Sequence, residues 1–196
     1  MRAFDCFIGQ LHMDIYRFLS ENNLEFERHD HPAVFTCEEA NRLVPALPAT
    51  KTKNLFLCDG KGHRHFLVVV GFEKVIDLKA LASLLGISKL KFASPKRLMR
   101  FLGVSPGAVS ILGVVKDSDG AVEVVFDESL WNSDAFQCHP LVNTSTLVIS
   151  LDNIKRILEI TGHTPRVFDV PGKSRRVEFS GAEYTRVLSG VDKDGF

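Results

Sequence analysis

The run Lys53-Asn54-Leu55-Phe56-Leu57 commits this chain to a sheet. An Asp59-Gly60-Lys61-Gly62 turn follows it, and then a second apolar run from His65 to Val70. Two apolar runs around a glycine-rich turn predict a β-hairpin over 54–58 and 65–72. Lys53 and Asn54 stand at its entrance, where a lysine can offer its charge to a phosphate or ester without crossing the core. A second polar island lies far along the chain, at Cys138-His139-Pro140-Leu141-Val142-Asn143-Thr144.

Composition narrows the function classes. The chain has 196 residues, 45% hydrophobic, enough for one domain with a real core. Lys+Arg and Asp+Glu are equal at 24 each, so bulk charge gives no sign of nucleic-acid binding and such a role must rest on a local patch. Cys6, Cys37, Cys58 and Cys138 form no Cys-x-x-Cys pair, which points to reduced thiols and a cytoplasmic setting. The N-terminus lacks a signal-peptide pattern, and no apolar stretch approaches the ~20 residues of a transmembrane helix.

Periodicity places the elements. Ile8, Leu11, Ile15, Phe18 and Leu19 share one helical face, with Asn22-Asn23 as the stop. Leu24, Phe26 and Arg28 alternate in a short strand. Thr36-Cys37-Glu38-Glu39 is a capping box, so a helix is expected after Thr36. Asp77 should cap a helix that Gly86 ends, and Ser94-Pro95 should open another that Gly103 closes. Val109–Lys116 and Val122–Phe126 read as a strand pair around Asp117-Ser118-Asp119-Gly120. A strand at 146–149, a helix capped by Ser150 and a strand at 167–170 complete the pattern. The expected class is α/β or α+β, a mixed, largely antiparallel sheet or partly closed barrel with flanking helices. Residues 1–171 are expected to form one domain and 172–196 a C-terminal extension.

Four segments then occur in order: His31-Pro32-Ala33-Val34-Phe35-Thr36-Cys37-Glu38-Glu39-Ala40, Lys53-Asn54-Leu55-Phe56-Leu57, Gly103-Val104-Ser105-Pro106-Gly107-Ala108-Val109-Ser110 and His139-Pro140-Leu141-Val142-Asn143-Thr144. Together they resemble the YbaK/prolyl-tRNA-synthetase-associated editing domain family, and within it the free-standing members that deacylate Ala-tRNA(Pro). The resemblance covers residues 10 to 170. It implies hydrolysis in trans of the ester between a wrong amino acid and the 3′ adenosine of tRNA(Pro), with prolyl-tRNA synthetase a further candidate partner. It carries the family's lysine onto Lys53 rather than Lys51, and also matches Asn54, His139 and the glycine loop at Gly107. The family pattern in that loop is Gly-x-x-x-Pro, and Ile111 stands where the proline would be.

Each of these residues also has an ordinary reading. Lys53 could be a surface lysine at a strand end, Asn54 a cap, His139 a loop-bracing histidine, and Gly107 a plain turn after Ser105-Pro106. On the family reading Lys53 steadies developing negative charge, Asn54 and the 107–111 backbone orient the ester, and His139 shapes the site. By analogy Phe35, Thr36 and the apolar residues near Ile111 wall a small pocket, while Lys51 reads as a peripheral phosphate contact or a merely solvated lysine. Lys89, Lys91, Lys96, Arg97 and Arg100 are the one basic concentration and the candidate tRNA contacts. His29, Asp30, His31, His63 and His65 show no metal-ligand spacing, and His63 and His65 are expected to be exposed. No metal or organic cofactor is implied. Cys138 beside His139 suggests a nucleophilic pair, but strand neighbours point oppositely. Competing functions are a non-catalytic tRNA- or nucleotide-binding protein on the same fold, and a deacylase for another small amino acid, serine or cysteine. The sequence leaves the oligomeric state open.

Overall fold

The computed structural model describes residues 14–34, 39 and 42–173. Eight strands form one mixed sheet in the order β1-β7-β6-β2-β3-β5-β8, with β4 paired to β2. They are β1 (Glu27–Asp30), β2 (Thr50–Asp59), β3 (His65–Gly71), β4 (Leu90–Phe92), β5 (Val122–Asp127), β6 (Ala135–Cys138), β7 (Ser145–Ser150) and β8 (Arg166–Phe168). The four described helices are α1 (Ile15–Glu21), α2 (Leu78–Leu84), α3 (Pro95–Leu102) and α4 (Leu151–Ile160).

The expected hairpin is present and longer than its apolar runs. It pairs from Thr52 with Gly71 to Cys58 with His65. The Asp59 carboxylate accepts from the backbone N–H of His63 (2.7 Å) and Arg64 (3.2 Å), which shapes the turn. Alternation along the strands divides the core in two. Phe56, Leu67, Val69, Val124 and Phe126 join Leu19, Leu102, Ile154 and Ile157 on one face. Leu57, Phe66, Val68, Val70 and Val125 join Leu81 and Leu85 on the other.

The helix caps follow the sequence. Asp77 accepts from Lys79 and Ala80 N–H, Ser94 caps α3 with Pro95 in its first turn, Gly103 ends it at φ 65, and Ser150 caps α4. The start of the first expected helix, including Ile8 and Leu11, and Thr36 to Glu38 of the capping box lie outside the described residues, while Glu39, Arg42 and Leu43 of the helix expected after Thr36 are helical.

One expected strand pair is absent. Ile111–Lys116 is a 3-10 helix, and β5 pairs in parallel with β3 and β8 instead. The Asp117 carboxylate turns the chain, accepting from Ala121 and Val122 N–H at 3.1 and 2.7 Å. Ile111 to Val115 is buried all round, so its apolar run carried no period to separate strand from helix. Gly113 lets this segment close on α3: a Cβ there would stand 3.1 Å from Leu102 Cβ. β6, which the sequence reading left out, is short and buries only Phe136 and Cys138. Near the end of the described chain, Asp77 N–H donates to Pro171 O (2.8 Å) and Lys173 N–H to Val75 O (2.7 Å), fastening the 73–77 loop.

Candidate functional site

The site is a gap in the sheet. Thr50 and Lys51 of β2 pair in parallel with Phe136 and Gln137 of β6, and Leu57 to Asp59 pair with β4. Between them, among the described residues, the edge of β2 away from β3 carries no strand. Phe56 O accepts from Ala93 N–H at 3.0 Å on that edge, while Lys51 O accepts from Phe72 N–H at 3.1 Å on the β3 side. By alternation the backbone N–H and C=O of Asn54 point into the gap.

Two cavities flank Asn54. The smaller, about 50 Å³, mixes polar side chains with apolar surface: Lys51, Thr52, Asn54, Gln137, Cys138 and His139 line it, with Val44, Phe72 and Thr146. The larger, about 320 Å³, is apolar and lies against Leu55, Phe56, Phe92, Pro106, Gly107 and Val109. The Asn54 side-chain oxygen is buried and has no hydrogen-bond partner among the described residues. It costs free energy in that state, which a donor on a bound molecule would recover.

The loops around the gap are braced by the sequence motifs themselves. His31 N–H donates to Thr144 O (3.0 Å), Val34 N–H to Asn143 O (2.9 Å), and the Asn143 amide to Val34 O (3.1 Å). The His31–Val34 and His139–Thr144 segments thus dock on each other across the fold. Leu141 is held at φ 64, a strained conformation for a leucine. His139 Nδ1 lies 3.3 Å from Ser145 O, so Nδ1 carries the proton and Nε2 keeps its lone pair. Burial lowers the His139 pKa, helped by His31 and opposed by the Ser145 bond, which favours this neutral form.

Lys53 and Asn54 do not share a cavity. Lys53 lines neither of the two, and its amine donates to Lys74 O at 2.7 Å. Lys51 is the lysine that lines the small cavity, its amine 5.7 Å from the centre of the Phe72 ring. Gly107, at φ 91, is the left-handed corner of the turn closed by Ala108 N–H to Ser105 O. Ile111 lines neither cavity. It is 1% exposed, in the core, and opens the 3-10 helix capped by Ser110. A proline would fit that first helical position because its N–H is not needed there. The departure from the family pattern therefore falls on the core. Phe35 and Thr36 lie outside the described residues.

The basic residues divide. Lys89, Lys91, Lys96 and Arg100 are exposed, and Lys91 Nζ donates to Gly60 O at 2.9 Å. Arg97 turns inward, to Gly62 O at 2.8 Å and His65 Nε2 at 2.6 Å. His65 is buried, contrary to the sequence expectation, with its ring 4.0 Å from that of Phe101. Burial, then the Arg97 charge, lowers its pKa, so it accepts from Arg97 as the neutral ring. Cys138 is buried and its thiol pKa is pushed up to about 12, so it is no ready nucleophile even though it shares the small cavity with His139. Among the described residues no three His, Cys, Asp or Glu converge as for a metal, and no helix is long and apolar enough to cross a membrane.

Thr52, Phe72, Gln137 and Thr146 are site residues that sequence reasoning missed. Alternation from Asn54 could have found Thr52. Gln137 and Thr146 required the pairing of β2 with β6 and of β6 with β7, and Phe72 the hairpin register that sets it opposite Lys51.

Residues 31–157 match the aminoacyl-tRNA editing domain, and the chain belongs to that family. It is 37% identical over 152 residues to the prolyl-tRNA editing protein ProX of Acetoanaerobium sticklandii, covering 78% of this chain and 93% of that protein. It is 36% identical over 157 residues to prolyl-tRNA synthetase associated domain-containing protein 1 of Danio rerio, covering 79% and 85%. The fold is shared with the crystal structure of a candidate trans-editing enzyme for prolyl tRNA synthetase, at TM-score 0.59 and 22% identity, over 83% of this chain and 99% of that one.

Proposed function

We propose that this protein is a trans-editing deacylase that hydrolyses mischarged tRNA(Pro), with Ala-tRNA(Pro) as its substrate, in the cytoplasm and without metal or organic cofactor. The observation that carries the reading is the sheet gap at Asn54, a residue that lines both a small mixed cavity and a larger apolar one in a chain of the editing family. The small cavity takes the aminoacyl group. Its size suits alanine and opposes larger side chains. One methylene is worth only ~1–3 kcal/mol, so prolyl esters must be refused by shape.

In the reaction a water oxygen attacks the ester carbonyl carbon. The bond to the ribose oxygen breaks, and the water proton passes to that oxygen, giving free amino acid and tRNA. His139 Nε2 orients the water through its lone pair. The Asn54 N–H and amide hold the carbonyl. Lys53 supplies the positive charge for the developing oxyanion and the terminal phosphate, as its match to the family lysine implies. Lys74 O takes one of its three N–H donors and leaves two. Lys51 and the exposed Lys89, Lys91, Lys96 and Arg100 meet the acceptor-stem backbone.

The test is release of amino acid from Ala-, Ser-, Cys- and Pro-tRNA(Pro). Selective release of alanine supports the reading. Release of serine or cysteine instead would reassign the substrate. No release by folded protein that still binds tRNA would make it a binding protein.

A further inference from the structure

We infer that the apolar cavity beside Gly107 is a nucleobase pocket, and that Phe92 is the platform on which the terminal adenine of the acceptor end stacks. The inference rests on the aminoacyl-tRNA reading and assigns the part of the site that the aminoacyl group does not fill.

Phe92 is the most exposed large hydrophobic residue described, at 63%. A lone exposed apolar side chain is ordinary, but this ring lines a cavity of about 320 Å³ with Leu55, Pro95, Leu98 and Pro106. The walls are apolar and include two proline rings, which suits a flat aromatic ligand rather than a charged one. Asn54 belongs to both cavities. A base held at Phe92 therefore puts its ribose beside Asn54 and the ester carbonyl at the mouth of the small cavity. The buried, unpartnered Asn54 oxygen and the free backbone edge of β2 lie at that junction.

Charge points the same way. Between Asp77 and Asp117 the chain carries seven Lys or Arg residues and no Asp or Glu, although the whole chain is neutral. That segment contains β4, α3 and the Gly107 turn, which build the cavity. Exposed Lys96 follows Pro95 of the wall, whereas Lys91, the strand neighbour of Phe92, points to the other side and donates to Gly60 O. An aromatic face beside such a cationic surface is the arrangement that binds single-stranded nucleotides, the rings taking bases and the charges taking phosphates.

The experiment compares Phe92→Ala and Phe92→Trp with wild type on alanyl-tRNA(Pro) and on 3′-O-alanyl-adenosine. In parallel, adenosine 5′-monophosphate and ribose 5-phosphate are titrated by calorimetry. Phe92→Ala is expected to raise KM on the order of 10-fold for both esters, the scale of one lost stacking contact. Phe92→Trp should restore it. Wild type should bind the adenylate more tightly than ribose 5-phosphate, and Phe92→Ala should erase the difference. An unchanged KM in Phe92→Ala overturns the pocket while the deacylase reading stands, as does a rise confined to the whole tRNA. If wild type hydrolyses no ester yet binds adenylate through Phe92, the deacylase reading fails and the pocket stands. Equal binding of the two phosphates by wild type overturns the pocket.

Discussion

The ammonium of Lys53 donates to the backbone carbonyl of Lys74 at 2.7 Å. Lys74 is itself held, its amine 2.6 Å from Asp127 and 2.8 Å from Asp169. Burial works against its charge, but the two carboxylates outweigh this and raise its pKa. The lysine matched to the family is therefore positioned by a loop whose own anchor is a buried carboxylate. Lys51, two residues earlier, lines the cavity.

The two lysines should separate kinetically. Lys53→Ala is expected to lower deacylation kcat about 100-fold or more, the scale of losing one electrostatic partner of the transition state. Lys51→Ala should act mainly on KM and soften its salt dependence. Single-turnover and steady-state rates at two salt concentrations test this. The reverse order would transfer the catalytic charge to Lys51.

Asp127 is fully buried and Asp169 is 84% exposed, although both bond the same amine. Asp127 Oδ1 also accepts from Ser129 N–H and Oγ–H at 3.1 and 3.0 Å. Asp127→Ala should cost about 3 kcal/mol in urea unfolding, because it strands a half-buried ammonium and a capping site. Asp169→Ala should cost less than about 1 kcal/mol. Equal costs would show that burial does not govern this network.

Cys138→Ala should retain deacylation within a few-fold, since a thiol held near pKa 12 offers almost no thiolate at neutral pH. A loss beyond about 100-fold would reinstate a cysteine nucleophile.

Stability should fall as pH drops below the ordinary histidine pKa of about 6.5. His65 and His139 both have lowered pKa values, so the unfolded chain takes up protons first. Their contribution is complete above that pH and disappears as pH falls through the folded-state values, with a slope of at most about 1.4 kcal/mol per pH unit for each group. Urea midpoints between pH 7.5 and 5 check this. In His65→Gln, which can still accept from Arg97, the decline should be shallower. An unchanged slope would remove His65 from the cause.

Much of the fold was legible because it is local. Asp77, Ser94 and Ser150 cap helices through oxygens that reach N–H groups two or three residues on, and the Asp59 turn is made by its own neighbours. The 111–116 segment failed for the opposite reason. Its apolar residues are buried on every side, so only packing against α3 and the Asp117 turn decided its conformation. His65 failed likewise. Nothing near it in sequence announces that Phe56, Phe101 and Arg97 will enclose it.

At the site, the sequence alone determined which residue types and ordered motifs were present, and with them the family. It also placed Lys53 and Asn54 at the entrance of one strand. The strand's two-residue period sends those neighbours to opposite sides but puts Lys51 with Lys53, so the period alone does not say which lysine lines the cavity. Tertiary structure decided that Asn54 joins His139 and Lys51, that Lys53 rests on Lys74, and that Ile111 packs in the core. The physical reason is sequence distance. The cavity exists because β2 pairs with β6, more than 80 residues away, and then with β4, leaving a gap between them that no local propensity encodes.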